Sequence, residues 1–310
     1  MIKALGNYNQ GLMEDDNGKL YNNEGVLEYM GGVLKNQKNG KGADYHPDGS
    51  VKSIGNWTSG GKNGLFYTFY QYTLKDKDTI KDKNLESIFR TYLKELKRRS
   101  FSQPFKLPVR SIVQYIDDKK ENISLTFHQN GRMSLLGKFQ NDNLANKITL
   151  YDKTGFIYYK GEHVNTIPNG DGIRYYENSC DKQYIGSFRN GLPDGNRIRI
   201  LNKGNGSLLY KGQMRNGQIE GKGKRYNTTN GKLRLEGFFS HGLLHGDKCT
   251  VYDRYGKILY EGSMDKNRRH GPGTQQFDLT FMRNYTIKKK YGIWAYAMLW
   301  GLSSIVPAGV

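Results

Sequence analysis

Histidine and cysteine are the residue types that most readily hold a metal ion or act in catalysis, and their spacing decides whether they can do so here. His241 and His245 are four residues apart, as two zinc ligands on one helix would be. They lie beside turn glycines, however, and lack the glutamate of a zinc-protease helix. Cys180 and Cys249 lack the spacing of a metal-binding pair. The sequence therefore predicts no catalytic residue, no metal site and no cofactor, and we expect no enzymatic activity.

An internal repeat determines the elements that position the functional residues. Between Tyr159 and Phe277, tripeptides that end in glycine recur with the glycines 25 or 26 residues apart. A bulky or aromatic residue follows each of these glycines two places later, and a second glycine follows nine places later. A fixed period of this length indicates a repeat architecture. The first-position glycines are Gly31, Gly161, Gly186, Gly212, Gly237 and Gly262, and the second-position glycines are Gly170, Gly195, Gly221, Gly246 and Gly271.

One repeat unit has the pattern of a β-hairpin. Tyr210, Gly212 and Met214 alternate with polar residues, which places the three on one face of a strand. Asn216-Gly217 follows, and this dipeptide favours a tight hairpin turn. Glycine normally weakens a strand, so glycines at fixed strand positions predict close packing against an aromatic ring of a neighbouring strand.

These residues resemble the MORN repeat family, whose pattern is Tyr-x-Gly-x-aromatic, then Asn-Gly, then Gly-x-Gly. The resemblance covers most of residues 1–278, although the units headed by Val113 and Gly137 lack the later glycines. It implies a mainly β fold, an elongated single-layer antiparallel sheet of MORN β-hairpin repeats. The family uses such sheets for scaffolding, for dimerisation and sometimes for membrane association.

The period predicts four segments. Residues 1–72 form N-terminal MORN-like repeats, 73–110 an inserted helix and linker, 111–278 the main repeat array, and 279–310 a basic flank with a hydrophobic tail. Within the second segment, apolar residues at helical spacing predict an amphipathic helix over 82–100. This helix either covers the groove of the sheet or binds a membrane surface or a partner.

The tail is the longest uncharged stretch. Residues 291–310 carry no charge and follow the basic run Lys288–Lys290. As a hydrophobic helix this stretch would just cross a hydrocarbon layer of about 30 Å. Such a tail after repeats resembles the arrangement of junctophilins. The alternative is an apolar cap on the open edge of the last hairpin, or a segment that docks into a partner. In each case the predicted anchor residues are Trp294, Leu299, Trp300 and Leu302.

Composition and charge indicate the partners. The chain has 39 glycines, 23 tyrosines and only 36% hydrophobic residues, as expected of a repeat protein with a thin core. Its formal net charge of +19 favours anionic partners. We expect a non-enzymatic scaffold, an accessory or structural subunit of a large membrane-associated protein complex. The alternative is a lipid-binding tether that joins an anionic membrane surface to the membrane that holds the tail.

The expected partners are other proteins of a large assembly. Anionic lipid and a second copy of the chain in a homodimer are further candidates, and nucleic acid is not favoured. Cys180 and Cys249 lie about three units apart, roughly 30 Å at two strands per unit, so they should not form a disulfide. Two reduced thiols are consistent with an intracellular location. We expect association with a membrane, with a mitochondrial or other organelle membrane as a candidate.

Overall fold

The computed structural model describes residues 3–71 and 109–276, together with the backbone of three strands between 285 and 307. The chain divides into two compact units, Met1–Tyr158 and Tyr159–Val310. No helix occurs among the described residues. The mainly β, antiparallel hairpin fold predicted from the repeat is therefore confirmed in these residues. The predicted inserted helix at 82–100 lies outside them.

In the first unit, the long strands pair with their neighbours in antiparallel order. The short strands complete the turns, and β1 pairs with β4 at one edge of the sheet. The strands are β1 (Ala4–Leu5), β2 (Tyr8–Asn9), β3 (Leu12–Met13), β4 (Asp15–Tyr21), β5 (Leu27–Leu34), β6 (Gln37–Tyr45), β7 (Val51–Thr58), β8 (Gly61–Lys62), β9 (Gly64–Phe69), β10 (Val109–Ile116), β11 (Lys119–Phe127), β12 (Met133–Gln140), β13 (Asn143–Leu144) and β14 (Lys147–Tyr151).

The second unit continues the same antiparallel pattern. Its strands are β15 (Ile157–Val164), β16 (Ile167–Tyr175), β17 (Lys182–Arg189), β18 (Leu192–Pro193), β19 (Gly195–Leu201), β20 (Leu208–Arg215), β21 (Gln218–Tyr226), β22 (Leu233–Ser240), β23 (Leu243–Leu244), β24 (Gly246–Tyr252), β25 (Ile258–Asp265), β26 (Arg268–Gln276), β27 (Tyr285–Ala295), β28 (Met298–Trp300) and β29 (Ser303–Pro307).

The first turn of a repeat, which joins the two strands of its hairpin, uses two consecutive residues in the left-handed region. Asn216 and Gly217 have φ of 47° and 78° between β20 and β21, which confirms the predicted Asn-Gly turn. Lys266 and Asn267 have φ of 45° and 65° and form the same kind of turn without glycine. Two-residue turns of this kind match the right-handed twist of the paired strands.

The second turn, which leads from one repeat to the next, is built around an aspartate or asparagine side chain. Asp253 Oδ1 accepts hydrogen bonds from the backbone N–H groups of Tyr255 and Lys257, both at 2.8 Å. Asp152 holds Thr154 and Phe156 in the same way, at 2.8 and 3.0 Å. Side chains that bond their own backbone two and four residues on stabilise turns, so these acidic residues position the next strand.

The register divides the side chains of the second unit between two faces. One row runs across successive strands on the face that we call the aromatic face. It consists of Tyr159, Arg174, Tyr184, Ile200, Tyr210, Arg225, Leu235, Val251, Tyr260 and Gln275. The next row lies on the opposite face and consists of Lys160, Ile173, Ile185, Arg199, Lys211, Lys224, Glu236, Thr250, Glu261 and Thr274. The buried core of this unit, with Tyr210, Met214 and Phe239, belongs to the aromatic face.

The first unit buries both of its faces. Tyr29, Trp57 and Phe66 are buried on its aromatic face. The opposite face carries an apolar row in register, with Ile54 and Ile112 each 3% exposed or less. The equivalent row of the second unit is mostly charged or polar. The helix predicted at 82–100, which would cover the groove of the sheet or bind a membrane surface or a partner, stays a prediction.

The described backbone of the tail is β-strand, and the hydrophobic helix predicted for residues 291–310 stays a prediction. β27 pairs with β26 from Gly271 opposite Trp294 to Gln276 opposite Lys289, and it pairs in turn with β28 and β29. The physical reason is that the last hairpin leaves a row of unpaired backbone groups, which another strand satisfies. Of the predicted anchor residues, Trp294 lies in β27, Leu299 and Trp300 lie in β28, and Leu302 is outside the described residues. Where the structure describes the chain, none of its segments is a helix long and apolar enough to cross a bilayer.

Candidate functional site: the aromatic face

A buried tyrosine organises four of the Tyr-x-Gly hairpins, those of Tyr29, Tyr159, Tyr210 and Tyr260. Tyr210 is 1% exposed and its hydroxyl donates a hydrogen bond of 2.8 Å to the Gln213 carbonyl oxygen. Tyr260 bonds the Ser263 carbonyl oxygen at 2.8 Å, and Tyr29 bonds that of Gly32 at 2.9 Å. In these four hairpins the bond reaches three residues ahead, so the ring folds back over the glycine of its own tripeptide.

The glycines make room for this ring and for the close approach of two strands. A Cβ added at Gly223 would lie 2.6 Å from Cε2 and Cζ of Tyr210, which belongs to the neighbouring strand as predicted. A Cβ at Gly212 would lie 2.5 Å from Gly223 Cα and 2.5 Å from the Tyr210 hydroxyl, so here the ring comes from the same strand. Gly31, Gly161 and Gly262 have the same surroundings as Gly212.

The remaining predicted glycines have two other environments. Gly186 and Gly237 face Ile198 and Cys249 rather than a glycine, so two kinds of hairpin alternate along the unit. The sequence marks the hairpins of Gly186 and Gly237, because they lack the second glycine of Gly-x-Gly. In the first of them Arg197 occupies that position. The second-position glycines with positive φ are Gly170, Gly221, Gly246 and Gly271, whereas Gly195 lacks it.

The rings of successive hairpins pack edge to face. The ring centroids of Tyr159 and Phe188 are 5.3 Å apart with an angle of 83° between the planes. Those of Tyr210 and Phe239 are 5.8 Å apart at 88°. In the first unit, Trp57 joins Tyr29 and Phe66 in a continuous series with centroid distances of 5.2 and 4.7 Å. Edge-to-face pairs contribute about 0.5–1.5 kcal/mol beyond burial.

In each unit, cationic side chains lie over rings of the aromatic face. The charged groups lie between 4.7 and 5.7 Å from the ring centroids, within the range of cation–π attraction. The pairs are Lys38 with Tyr29, Arg174 with Phe188, Arg225 with Phe239, and Arg269 with Tyr260. The aromatic face is therefore a row of rings with positive charge above it.

The titratable groups of this face are not prepared for catalysis. Burial raises the pKa of Tyr159, Tyr210 and Tyr260 to about 12, so these hydroxyls stay neutral hydrogen-bond donors at ordinary pH. Burial also raises the pKa of the Cys249 thiol, which disfavours the reactive thiolate. Cys249 and the exposed Cys180 are both free, as the repeat spacing predicted.

The two histidines do not converge on a shared ligand. His245 Nδ1 lies 3.1 Å from Asp265 Oδ1, while the backbone N–H of His241 donates to Glu220 Oε2 at 2.9 Å in the turn. Among the described residues, no cluster contains three or more side chains of the types that hold a metal ion.

The repeat agrees with a known family. The family model for the MORN repeat matches residues 184–196, 210–232 and 260–278, and the last two segments cover most of the strand pairs β20–β21 and β25–β26. A comparison with curated proteins gave no significant match. The resemblance of the tail to junctophilins therefore stays a prediction. The three matched segments, and the hairpins in which they lie, show that this chain contains MORN repeats.

Proposed function

We propose that this protein is a non-enzymatic scaffold, an accessory or structural subunit of a large membrane-associated protein complex. MORN repeats are generally modules that mediate protein or membrane interactions. The observation that carries the proposal is the aromatic face, where an arginine lies over an aromatic ring at three places in the second unit. Arginine and aromatic side chains are enriched in the energetic centres of protein interfaces.

The face suits a protein partner because it is rigid before binding. The rings are locked by hydrogen bonds to the backbone and by close approach to glycine, as at Tyr210 and Gly223. Binding to a preformed surface avoids the ordering cost that weakens association. The net charge of +19 makes acidic proteins the favoured partners.

The opposite face supports a second candidate, the lipid-binding tether. Arg199, Lys211 and Lys224 are exposed and lie directly beside one another on β19, β20 and β21. Like charges at paired positions repel, and Lys224 is neutralised in part by its 2.8 Å ion pair with Glu236. An anionic membrane would attract such residues by about 1 kcal/mol for each.

We further propose that the protein is intracellular and that its tail associates with a membrane, for which a mitochondrial or other organelle membrane is a candidate. This proposal is supported by the uncharged residues 291–310 that follow Lys288–Lys290. A homodimer that uses the aromatic faces is an alternative form of the same scaffold.

Native purification of the full-length chain tests the two candidates against each other. A scaffold should retain protein partners at constant stoichiometry after lipid is removed, as measured by mass spectrometry of the native complex. A tether should co-sediment with anionic vesicles and lose this binding when Arg199 and Lys211 are changed to glutamine. A chain that purifies free of other proteins and binds such vesicles would exclude the scaffold.

A further inference from the structure

A cavity of about 480 Å³ opens in the second unit. Its floor is apolar and includes Leu235, Val251 and Tyr260, which are paired in register on the aromatic face. None of the described residues that line the cavity is acidic, whereas four of them are arginines. These are Arg225, Arg234, Arg268 and Arg269.

The register sets the length of this floor. Arg225 lies opposite Leu235 at one end of the row, and Gln275 lies opposite Tyr260 at the other. Four spacings between neighbouring strands separate the two, about 19 Å at 4.8 Å each. An extended peptide of about five or six residues spans this distance.

The first unit shows how the chain neutralises a cation at the equivalent position. Lys38 lies opposite Val33 just as Arg269 lies opposite Met264. Lys38 forms a 2.5 Å ion pair with Asp44, which also accepts a 2.8 Å hydrogen bond from Ser53 Oγ.

The second unit has a neutral residue where the first unit has this carboxylate. Asp44 lies opposite Tyr29, and Gln275 lies opposite Tyr260. Arg269 donates to the uncharged Gln275 Oε1. The carboxylate that the chain supplies in the first unit is therefore replaced by an amide at this end of the cavity.

The other end of the cavity also concentrates positive charge. Burial lowers the pKa of Arg225, Tyr210 opposes this effect, and the nearby Arg234 adds to it. Within residues 3–71 and 109–276, neither Arg225 nor Arg234 nor Arg268 forms an ion pair with a carboxylate. A half-buried guanidinium beside a second one is stabilised by an anion.

We propose that this cavity binds an acidic segment of a partner protein, whose apolar side chains cover Leu235 and Val251 and whose carboxylates pair with Arg225 and Arg234. The proposal rests on the scaffold function and specifies the chemistry of the partner. The planar guanidinium fork matches a carboxylate with two parallel hydrogen bonds. The apolar floor between the arginines favours a peptide, because a free anion would leave that floor uncovered.

Fluorescence anisotropy of the full-length chain tests the proposal. The probe is a labelled short peptide in which leucine alternates with aspartate or glutamate, compared with the same peptide carrying lysine in place of the acids. Changing Arg225 and Arg234 together to glutamine should weaken binding of the acidic peptide about tenfold or more, since each charge-assisted hydrogen bond lost costs about that much. The matched control changes Arg199 and Lys211 to glutamine, which removes the same charge from the opposite face and should leave the affinity unchanged.

A second variant does not depend on removing an arginine that packs on Phe239. Gln275→Asp supplies Arg269 with a carboxylate from the chain, as Asp44 does for Lys38, and should weaken the acidic peptide severalfold. Circular dichroism of each variant checks that the fold is kept.

Several results would overturn the proposal. Equal losses in the cavity variant and in the opposite-face control would show that only net charge matters. Stronger peptide binding by Gln275→Asp would contradict the expectation that a carboxylate at position 275 competes with the acidic peptide. Binding of anionic lipid vesicles or of inorganic phosphate that depends on Arg225, without binding of the acidic peptide, would assign the cavity to another ligand. A chain that keeps its stoichiometric partners while the cavity variants bind the peptide normally would refute the cavity alone, whereas a chain without protein partners would refute the scaffold.

Discussion

One added methyl group at Gly223 tests whether the tyrosine ring and the glycine form a single packing unit. In Gly223→Ala the new Cβ would lie 2.6 Å from Cε2 and Cζ of Tyr210. Two carbon atoms attract each other best at a separation of about 3.5–4.0 Å, so these atoms would overlap. The three atoms nearest to this Cβ all belong to the Tyr210 side chain. Gly223 is outside the left-handed region, so the substitution adds no backbone strain. The ring must therefore move.

The contacts of the ring set the magnitude. A displaced Tyr210 loses its 2.8 Å hydrogen bond to Gln213, worth about 1 kcal/mol. It also loses the edge-to-face contact with Phe239 at 5.8 Å, worth about 0.5–1.5 kcal/mol. We expect Gly223→Ala to lower the free energy of unfolding by about 2 kcal/mol. Overpacking of a core generally costs about 1–3 kcal/mol, so this value is in the usual range. In a Tyr210→Leu background the ring is gone, and the same alanine should cost less than about 0.5 kcal/mol.

Equilibrium urea unfolding of the full-length chain, followed by circular dichroism, measures this coupling in a double-mutant cycle. Gly212→Ala is the matched control, because its Cβ would lie 2.5 Å from Gly223 Cα and from the Lys222 carbonyl oxygen, which are backbone atoms. Its cost should persist in the Tyr210→Leu background. If Gly223→Ala costs the same in both backgrounds, the reasoning about the ring is refuted.

Three further predictions concern charge and location. Because burial raises the pKa of Tyr210 and Tyr260 from about 10 to about 12, the stability from their neutral form is complete below pH 10 and is lost as pH rises toward 12. Ultraviolet difference absorbance measures this titration, and a midpoint near 10 in the folded protein would contradict it. Asp44→Asn should lower the free energy of unfolding by roughly 1 kcal/mol, because it removes the carboxylate that pairs with the partly exposed Lys38. The midpoint of urea unfolding measures this loss, and an unchanged midpoint would show that the ion pair contributes nothing. A chain without residues 291–310 should leave membranes in high salt, whereas the full chain should resist salt and alkaline carbonate; release of the full chain by carbonate would count against a spanning tail.

The turns show how far local sequence predicts this fold. The dipeptide Asn216-Gly217 predicts its two-residue turn, because asparagine and glycine adopt positive φ at low energetic cost. Lys266-Asn267 adopts the same turn without that signal, since the paired strands on either side require it. In the same way, the tail has a run of residues long enough for a helix, yet its described backbone pairs with the open edge of β26.

The alternation of polar and apolar residues and the spacing of the glycines were enough to predict antiparallel hairpins, because period-two alternation and left-handed turns are local properties of the chain. They did not show that two kinds of hairpin alternate, or which ring packs on Gly212. Only the tertiary structure places Arg225 and Arg269 at one cavity, and only the register makes Gln275 the counterpart of Asp44. The physical reason is that cross-strand neighbours depend on register, and a shift of one residue would move each of these side chains to the other face of the sheet.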